Sequence, residues 1–243
     1  MFALPIVGLV ISTAVGAAPP SAEDAAIAQS LAEMLRDART VISNNQELIN
    51  NPELGDKHLT GQVVLDQAVK SYQKATGADP TTIDPKSRRG RLLRDDGLDR
   101  RRNRRQPGDD QREGDGVQRL HPGSVFARLV SEDFNQMAKG EAEVKVTAPP
   151  ELVRNRKARP DAWEADIMKT KLLTADWPKG QSYSAVVDTN GRPAFRVAVP
   201  EYYAGSCLVC HGSPKGEMDL TGYPKEGGKT GDLGAVISIT LYH

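Results

Sequence analysis

The stretch YSAVVDTNGRPAFRVAVP, residues 183–200, decides the fold of this chain. Two runs rich in Val, Ala and aromatic residues flank Asn190 and Gly191. Asn-Gly is the dipeptide best suited to a two-residue turn between antiparallel strands, because both positions tolerate positive φ. The stretch therefore predicts a β-hairpin.

Further strands and helices are predicted outward from this hairpin. EAEVKVTAP (residues 141–149) alternates like a strand, and LGAVISITLY (residues 233–242) predicts a last strand. In the N-terminal half, Ser21 and Asp24 have the spacing of a helix cap. The helix that follows carries apolar residues at helical spacing, namely Ile27, Leu31, Met34, Leu35, Ala38 and Ile42. A second helical stretch, residues 59–77, ends at Gly77.

Two more helices are predicted before the hairpin. The first is SVFARLVSEDFNQMA (residues 124–138), with one apolar face formed by Val125, Phe126, Leu129, Val130 and Phe134. The second lies in PDAWEADIMKTKLL (residues 160–173), where Asp161 and Glu164 have the spacing of a capping box. Helices first and an antiparallel sheet afterwards predict an α+β fold.

The length, the net charge and the N-terminal residues indicate the number of domains and the cellular compartment. A chain of 243 residues suits one substantial domain or two small ones, and its net charge of zero gives no global field for nucleic acid or an anionic membrane. Residues 1–18 carry no charge and end in small residues, which predicts an export signal cleaved near Gly16–Ala18. The alternative is a retained anchor or a buried helix. We expect residues 19–243 to form a single exported, periplasmic domain with no stable membrane span.

Residues 94–123 break the pattern of amphipathic helices and strands. Half of them are charged, every positively charged residue is Arg, and no apolar periodicity is present. One interpretation is a disordered linker. We favour a local double frameshift. With suitable codons, moving one base converts Asp99–Pro122 into IEDVIDDNQAMINEKGMGFKGFIP, an amphipathic helix whose VIDDNQAMIN parallels Val41–Asn50. Compensating base changes near Arg94 and Ser124 are then expected in the coding DNA. His121 would have no role.

The motif CLVCH, residues 207–211, contains the two cysteines of the chain. A thioredoxin-like redox pair would begin a helix in a βαβ unit, whereas this pair follows a strand. Tetrahedral zinc needs four ligands, and the motif offers three. Haem attachment needs these three residues alone, with two thiols added across the vinyl groups and the adjacent imidazole under the iron. The motif favours haem c over a redox disulfide or zinc.

Three segments, RNRKARPDAWE (154–164), PEYYAGSCLVCHGSPKGE (200–217) and GDLGAVISI (231–239), resemble the DUF3365 (Tll0287-like) family of exported c-type haem proteins. The resemblance covers about residues 22–243, and residues 94–123 depart from it. It implies a PAS-like domain, a small antiparallel sheet flanked by helices with haem at one face. It also implies thioethers at Cys207 and Cys210 and His211 as the proximal iron ligand.

The sixth iron ligand stays unknown. An open or water-bound position is one alternative, and the candidate side chains are His58, Met34, Met137, Met168 and Met218. His243 ends the sequence given and is expected to be free. The basic residues in VRNRKARP (residues 153–160) are either partners for haem propionates or part of a solvated loop. Trp163 is interpreted as a packing anchor.

The expected role is a haem-based sensor of redox state or ligands, acting through a signalling partner protein. The alternative is a small electron-transfer cytochrome with a redox partner. Because no catalytic triad, phosphate loop or paired carboxylate is recognisable, we do not expect an enzyme.

Overall fold

The computed structural model describes residues 21–51, 53–54, 58–94 and 124–243. The proposed signal, His121 and nearly all of the charged segment lie outside these residues, so the hypotheses about them stay predictions. Within the described residues no helix is long and apolar enough to cross a membrane.

Helices form the first part of the described chain. Their bounds are α1 Ala22–Asn44, α2 Gln46–Asn50, α3 Gly61–Thr76, α4 Arg88–Leu93 and α5 Ser124–Met137. The predicted start of α1 is confirmed, because the Ser21 side chain accepts from the Asp24 amide and the Asp24 carboxylate accepts from the Ser21 amide. The predicted end of the second helix is also confirmed, with Gly77 in the left-handed region at φ 72°.

Four antiparallel strands form one sheet in the order β1-β4-β3-β2. They are β1 Ala142–Thr147, β2 Tyr183–Thr189, β3 Arg192–Tyr202 and β4 Leu233–Tyr242. The predicted hairpin is β2–β3, and its turn residues Asn190 and Gly191 have φ values of 56° and 79°. These positive values explain why Asn-Gly occupies the turn. The α+β prediction is confirmed.

The helices cover one face of the sheet. Ile27, Leu31 and Leu35 of α1 pack in one core with Phe195 of β3 and with Ile237, Ile239 and Leu241 of β4. Burying this apolar surface stabilises the layer pair by roughly 25 cal/mol per Å² removed from water.

A short helix, α6 (Ala162–Ile167), continues through a π-type turn at Met168–Leu172 and contributes to a second apolar core. The predicted capping box at its start is confirmed, since Asp161 and Glu164 exchange side-chain to backbone bonds. This second core includes Ile167 and Met168 with Ala198 of β3 and Val236 of β4.

The predicted apolar face of α5 is only partly correct. Phe134 is fully buried, but Leu129 is 40% exposed. The buried stripe instead contains Ala127, Ser131 and Phe134, which recur at spacings of four and three residues. Small residues at 127 and 131 allow close packing, a feature that a search for large apolar side chains does not detect.

Candidate functional site

The CLVCH motif lies in a loop, residues 203–232, which we call the CLVCH loop. Backbone hydrogen bonds close it along its length, from the Tyr203 amide to the Asp232 carbonyl (2.9 Å) and from the Gly228 amide to the His211 carbonyl (2.8 Å). A further pair joins the Gly227 amide to the Gly212 carbonyl at 3.0 Å. Because the loop folds back on itself, residues near position 226 lie opposite the motif.

The motif itself forms one compact helical segment. A 3₁₀ turn at Gly205–Cys207 leads into α7, Leu208–His211. Cys207 and Cys210 are free thiols of intermediate exposure. The structure thus brings the three predicted site residues, Cys207, Cys210 and His211, together within consecutive helical turns.

The imidazole of His211 is held at its edge and on its face. Its Nδ1 lies 2.9 Å from Oε2 of Glu226, and the ring of Tyr203 stacks on it at 5.0 Å with an interplanar angle of 19°. Burial alone would raise the pKa of Glu226, but hydrogen bonds from Arg154 and the nearby His211 hold that pKa below its ordinary value. An ionised carboxylate accepts, so Nδ1 carries the proton and Nε2 is the nitrogen available to a metal.

Arg154 lies in the segment after β1 and contacts three residues of the CLVCH loop. Its Nε donates to Oε1 of Glu226 at 2.7 Å, and its Nη2 donates to Oε2 of Glu226 at 3.0 Å and to the Cys210 carbonyl at 2.8 Å. Its Nη1 pairs with Asp219. Two loop carboxylates thus engage this guanidinium, whereas Arg156 and Arg159 of the same segment are exposed.

Asp219 is the second anchor of the loop. Its side chain is fully buried and accepts from the amides of Thr221 (2.7 Å) and Tyr223 (3.1 Å) and from the Thr221 hydroxyl. Burial opposes ionisation, but the hydrogen bonds from Thr221 and Arg154 hold the pKa of Asp219 well below its usual range. The carboxylate therefore fixes the turn at residues 219–223.

Two features of the site bear on the alternatives of a redox disulfide and of zinc. Burial, followed by the neighbouring Asp219, raises the pKa of the Cys210 thiol. Among the residues that the structure describes, no group of three or more His, Cys, Asp or Glu side chains is arranged to hold a metal such as zinc.

Exposed apolar side chains are frequent in the CLVCH loop. Val209, Met218, Leu220 and Tyr223 are between 45% and 68% exposed. Large apolar side chains concentrated in one polar, Gly-rich loop indicate a surface that is covered by something else.

The candidates for a sixth ligand fall in different places. Met34 and Met168 are fully buried in the first and second cores, so packing accounts for them. Met137 is exposed at the end of α5, and Met218 lies in the CLVCH loop. His58 has a positive φ of 50°. His243 was not a candidate and was expected to be free, but its Nε2 lies 3.6 Å from a carboxylate oxygen of Asp24. The structure selects none of them.

Trp163 packs on the second core, with the guanidinium of Arg196 over its ring at 4.3 Å. Glu164 is buried and paired with Lys145 at 2.6 Å and Arg196 at 3.3 Å. These contacts fit the interpretation of Trp163 as a packing anchor, and they give Glu164 a structural ion pair.

Glu226 and Tyr203 were not predicted as site residues from the sequence. Tyr203 adjoins the motif, but nothing in its spacing indicates that it stacks on His211. Glu226 lies 15 residues beyond His211 and is brought back by the loop's backbone hydrogen bonds, which leave no periodic pattern in the sequence.

A family model described as Tll0287-like matches residues 20–241. No curated protein and no solved structure matches the chain.

Proposed function

This chain belongs to the Tll0287-like family, and we propose that it binds one haem c covalently, through Cys207 and Cys210, with His211 as the proximal iron ligand. The observation that carries the proposal is the fixed imidazole. A ligating histidine typically donates its second ring N–H to a carboxylate, as Nδ1 of His211 is placed to do toward Glu226.

The chain's own residues have separable tasks in this proposal. Cys207 and Cys210 would hold the haem through two thioethers, each thiol adding its sulfur and its hydrogen across one vinyl group, so that no oxidant would be consumed. Glu226 holds the proton on Nδ1, and Tyr203 fixes the plane of the ring. The haem supplies one-electron redox chemistry and an iron position for an exogenous or protein ligand.

Export is part of the same proposal. Such haem is attached outside the cytosol, which agrees with an export signal at residues 1–18 and a periplasmic location. Cysteines in that compartment form disulfides unless they are consumed, and attachment to haem would consume both.

The proposed biological role is a redox or ligand sensor that acts through a partner protein, without enzymatic activity. The CLVCH loop is joined directly to other elements, since Ser206 lies 3.0 Å from Ser43 of α1 and Arg154 links the loop to the segment after β1. These polar contacts connect the loop that carries His211 to the helix layer and to the segment that follows β1. The resemblance to PAS-like sensor domains supports this role by analogy.

Carbon monoxide binding tests the role. We expect the reduced protein to bind carbon monoxide rapidly, with a shift of its visible spectrum, because a ligand sensor needs an open or labile sixth position. The variant His211→Ala is the control, since losing the proximal ligand alters the spectrum before the gas is added. A reduced protein that binds no carbon monoxide and exchanges electrons quickly would instead be an electron carrier.

A further inference from the structure

We infer that Glu226 is the positioning residue that sets the reduction potential of the iron bound by His211, and that Arg154 moderates its charge. The inference rests on the proposed function. It adds what that function leaves open, namely which side chains determine the potential.

The first step is the direct contact. Oε2 of Glu226 lies 2.9 Å from Nδ1 of His211, on the far side of the ring from the ligating Nε2. A carboxylate acceptor polarises the N–H bond more strongly than a neutral carbonyl does, which makes the imidazole a stronger donor to the metal. A stronger donor favours the oxidised iron and lowers the potential.

The second step is burial. The side chains of Glu226 and Arg154 are 16% and 19% exposed. Charge interactions are stronger in such partly buried surroundings than in water. The Glu226 charge therefore acts on the ring with less screening than it would have in water, and the paired guanidinium of Arg154 moderates it.

The third step separates the two charges that Arg154 touches. The guanidinium holds Glu226 through two hydrogen bonds, of 2.7 and 3.0 Å, and it also pairs with Asp219. Asp219 binds the turn at Thr221 and Tyr223, whereas Glu226 binds the imidazole. Glu226 and Asp219 thus share one cation, but of the two carboxylates Glu226 is the one hydrogen-bonded to His211.

The experiment is a redox titration, at one pH, of the haem-loaded full chain and three variants. Glu226→Gln keeps the shape and removes the charge, and we expect a positive shift of the potential. Mutating the hydrogen-bond partner of a metal-ligating histidine typically costs about 10–100-fold in metal affinity or activity. A tenfold change in the ratio of ferrous to ferric protein corresponds to about 59 mV for one electron.

Two further variants test the direction in which the reduction potential shifts. Arg154→Gln removes the cation that moderates Glu226, so we expect the potential to shift in the negative direction. Asp219→Asn is the matched control, for which we expect a smaller shift but a less stable loop. A role confined to holding the loop would not produce shifts of opposite sign.

Each outcome has a defined meaning. Covalent haem with equal shifts for Glu226→Gln and Asp219→Asn, or with same-sign shifts for Glu226→Gln and Arg154→Gln, overturns the inference and leaves the proposed function intact. If Glu226→Gln does not fold, the sign obtained with Arg154→Gln decides. Wild-type protein that carries no covalent haem overturns the proposed function itself.

Discussion

Asp37 shows how much one buried charge matters in this molecule. It lies in α1, and its side-chain Oδ2 is buried with no hydrogen-bond partner among the residues that the structure describes. Glu33 is one helical turn away. Burial, reinforced by the charge of Glu33 and opposed by that of Arg36, raises its pKa to about 6 from an ordinary 3.8. The native state therefore holds this proton more tightly than the unfolded chain does.

The consequence is a stability that falls as the pH rises. The favourable contribution of protonated Asp37 is complete below pH 3.8 and is lost as the pH rises to about 6. The rise in pKa from 3.8 to about 6 corresponds to about 3 kcal/mol, at about 1.4 kcal/mol per pKa unit. Solvent screening reduces this value, so we expect Asp37→Asn to increase the free energy of unfolding by about 2 kcal/mol above that range. Denaturant unfolding of both proteins at pH 4 and pH 7.5 measures the difference.

The exposed Asp176→Asn is the matched control, expected to change stability equally little at both pH values. A gain for Asp37→Asn that is the same at pH 4 and pH 7.5 would contradict the titration of Asp37 as its cause.

At the scale of the elements, the junction of β3 and β4 positions the candidate site. The strands pair with a register shift between Glu201 and Tyr202, and Tyr203 follows directly. Its ring lies against Gly228 and Gly234 and also stacks on the imidazole of His211. Neither glycine leaves room for a methyl group, so the two glycines fix where the aromatic ring sits.

We expect Gly234→Ala to displace the Tyr203 ring, because a Cβ at position 234 would clash with it. Overpacking of this kind costs about 1–3 kcal/mol. Thermal unfolding measures that loss, and the visible spectrum should change as the imidazole loses its stacking partner. Gly205→Ala, with no atom near the added methyl group, should do neither. Equal behaviour of the two variants would show that the Gly234 contact does not position Tyr203.

Elements with short-range causes were predictable from the sequence. The pairs Ser21 with Asp24 and Asp161 with Glu164, and the Asn190-Gly191 turn, act within four residues and appear where they were expected. The candidate site was predictable only as far as CLVCH. The contact between Arg154 and Glu226 joins residues 72 positions apart, and it depends on how the loop folds back, which local patterns do not encode.

On the scale of the whole molecule, α1 connects the helix layer to the sheet and the candidate site. It packs against α3, α4, α5 and β4. Its Arg36 and Arg39 both pair with Glu201 at the end of β3, at 2.8 and 3.0 Å. Removing Glu201 would therefore disturb the sheet and the start of the CLVCH loop together.

The charged segment bears on the stability of this assembly. If residues 94–123 are out of frame, the chain has lost one amphipathic helix whose burial is worth roughly 25 cal/mol per Å² of apolar surface. Net stabilities of domains are only ~5–15 kcal/mol, so such a loss is serious. The charged side chains of residues 94–123 cannot replace the apolar face of such a helix, since burying them unpaired costs more free energy than it gains.

The central claim is the covalent bond between haem and the two cysteines. The most direct measurement is denaturation of the exported full chain in acid and organic solvent, followed by the intact mass of the protein fraction. We predict that the haem stays with the protein and that the mass exceeds that of the processed chain by one haem, whereas the Cys207→Ala, Cys210→Ala double variant releases it. Haem that extracts freely from the wild-type protein would contradict the account.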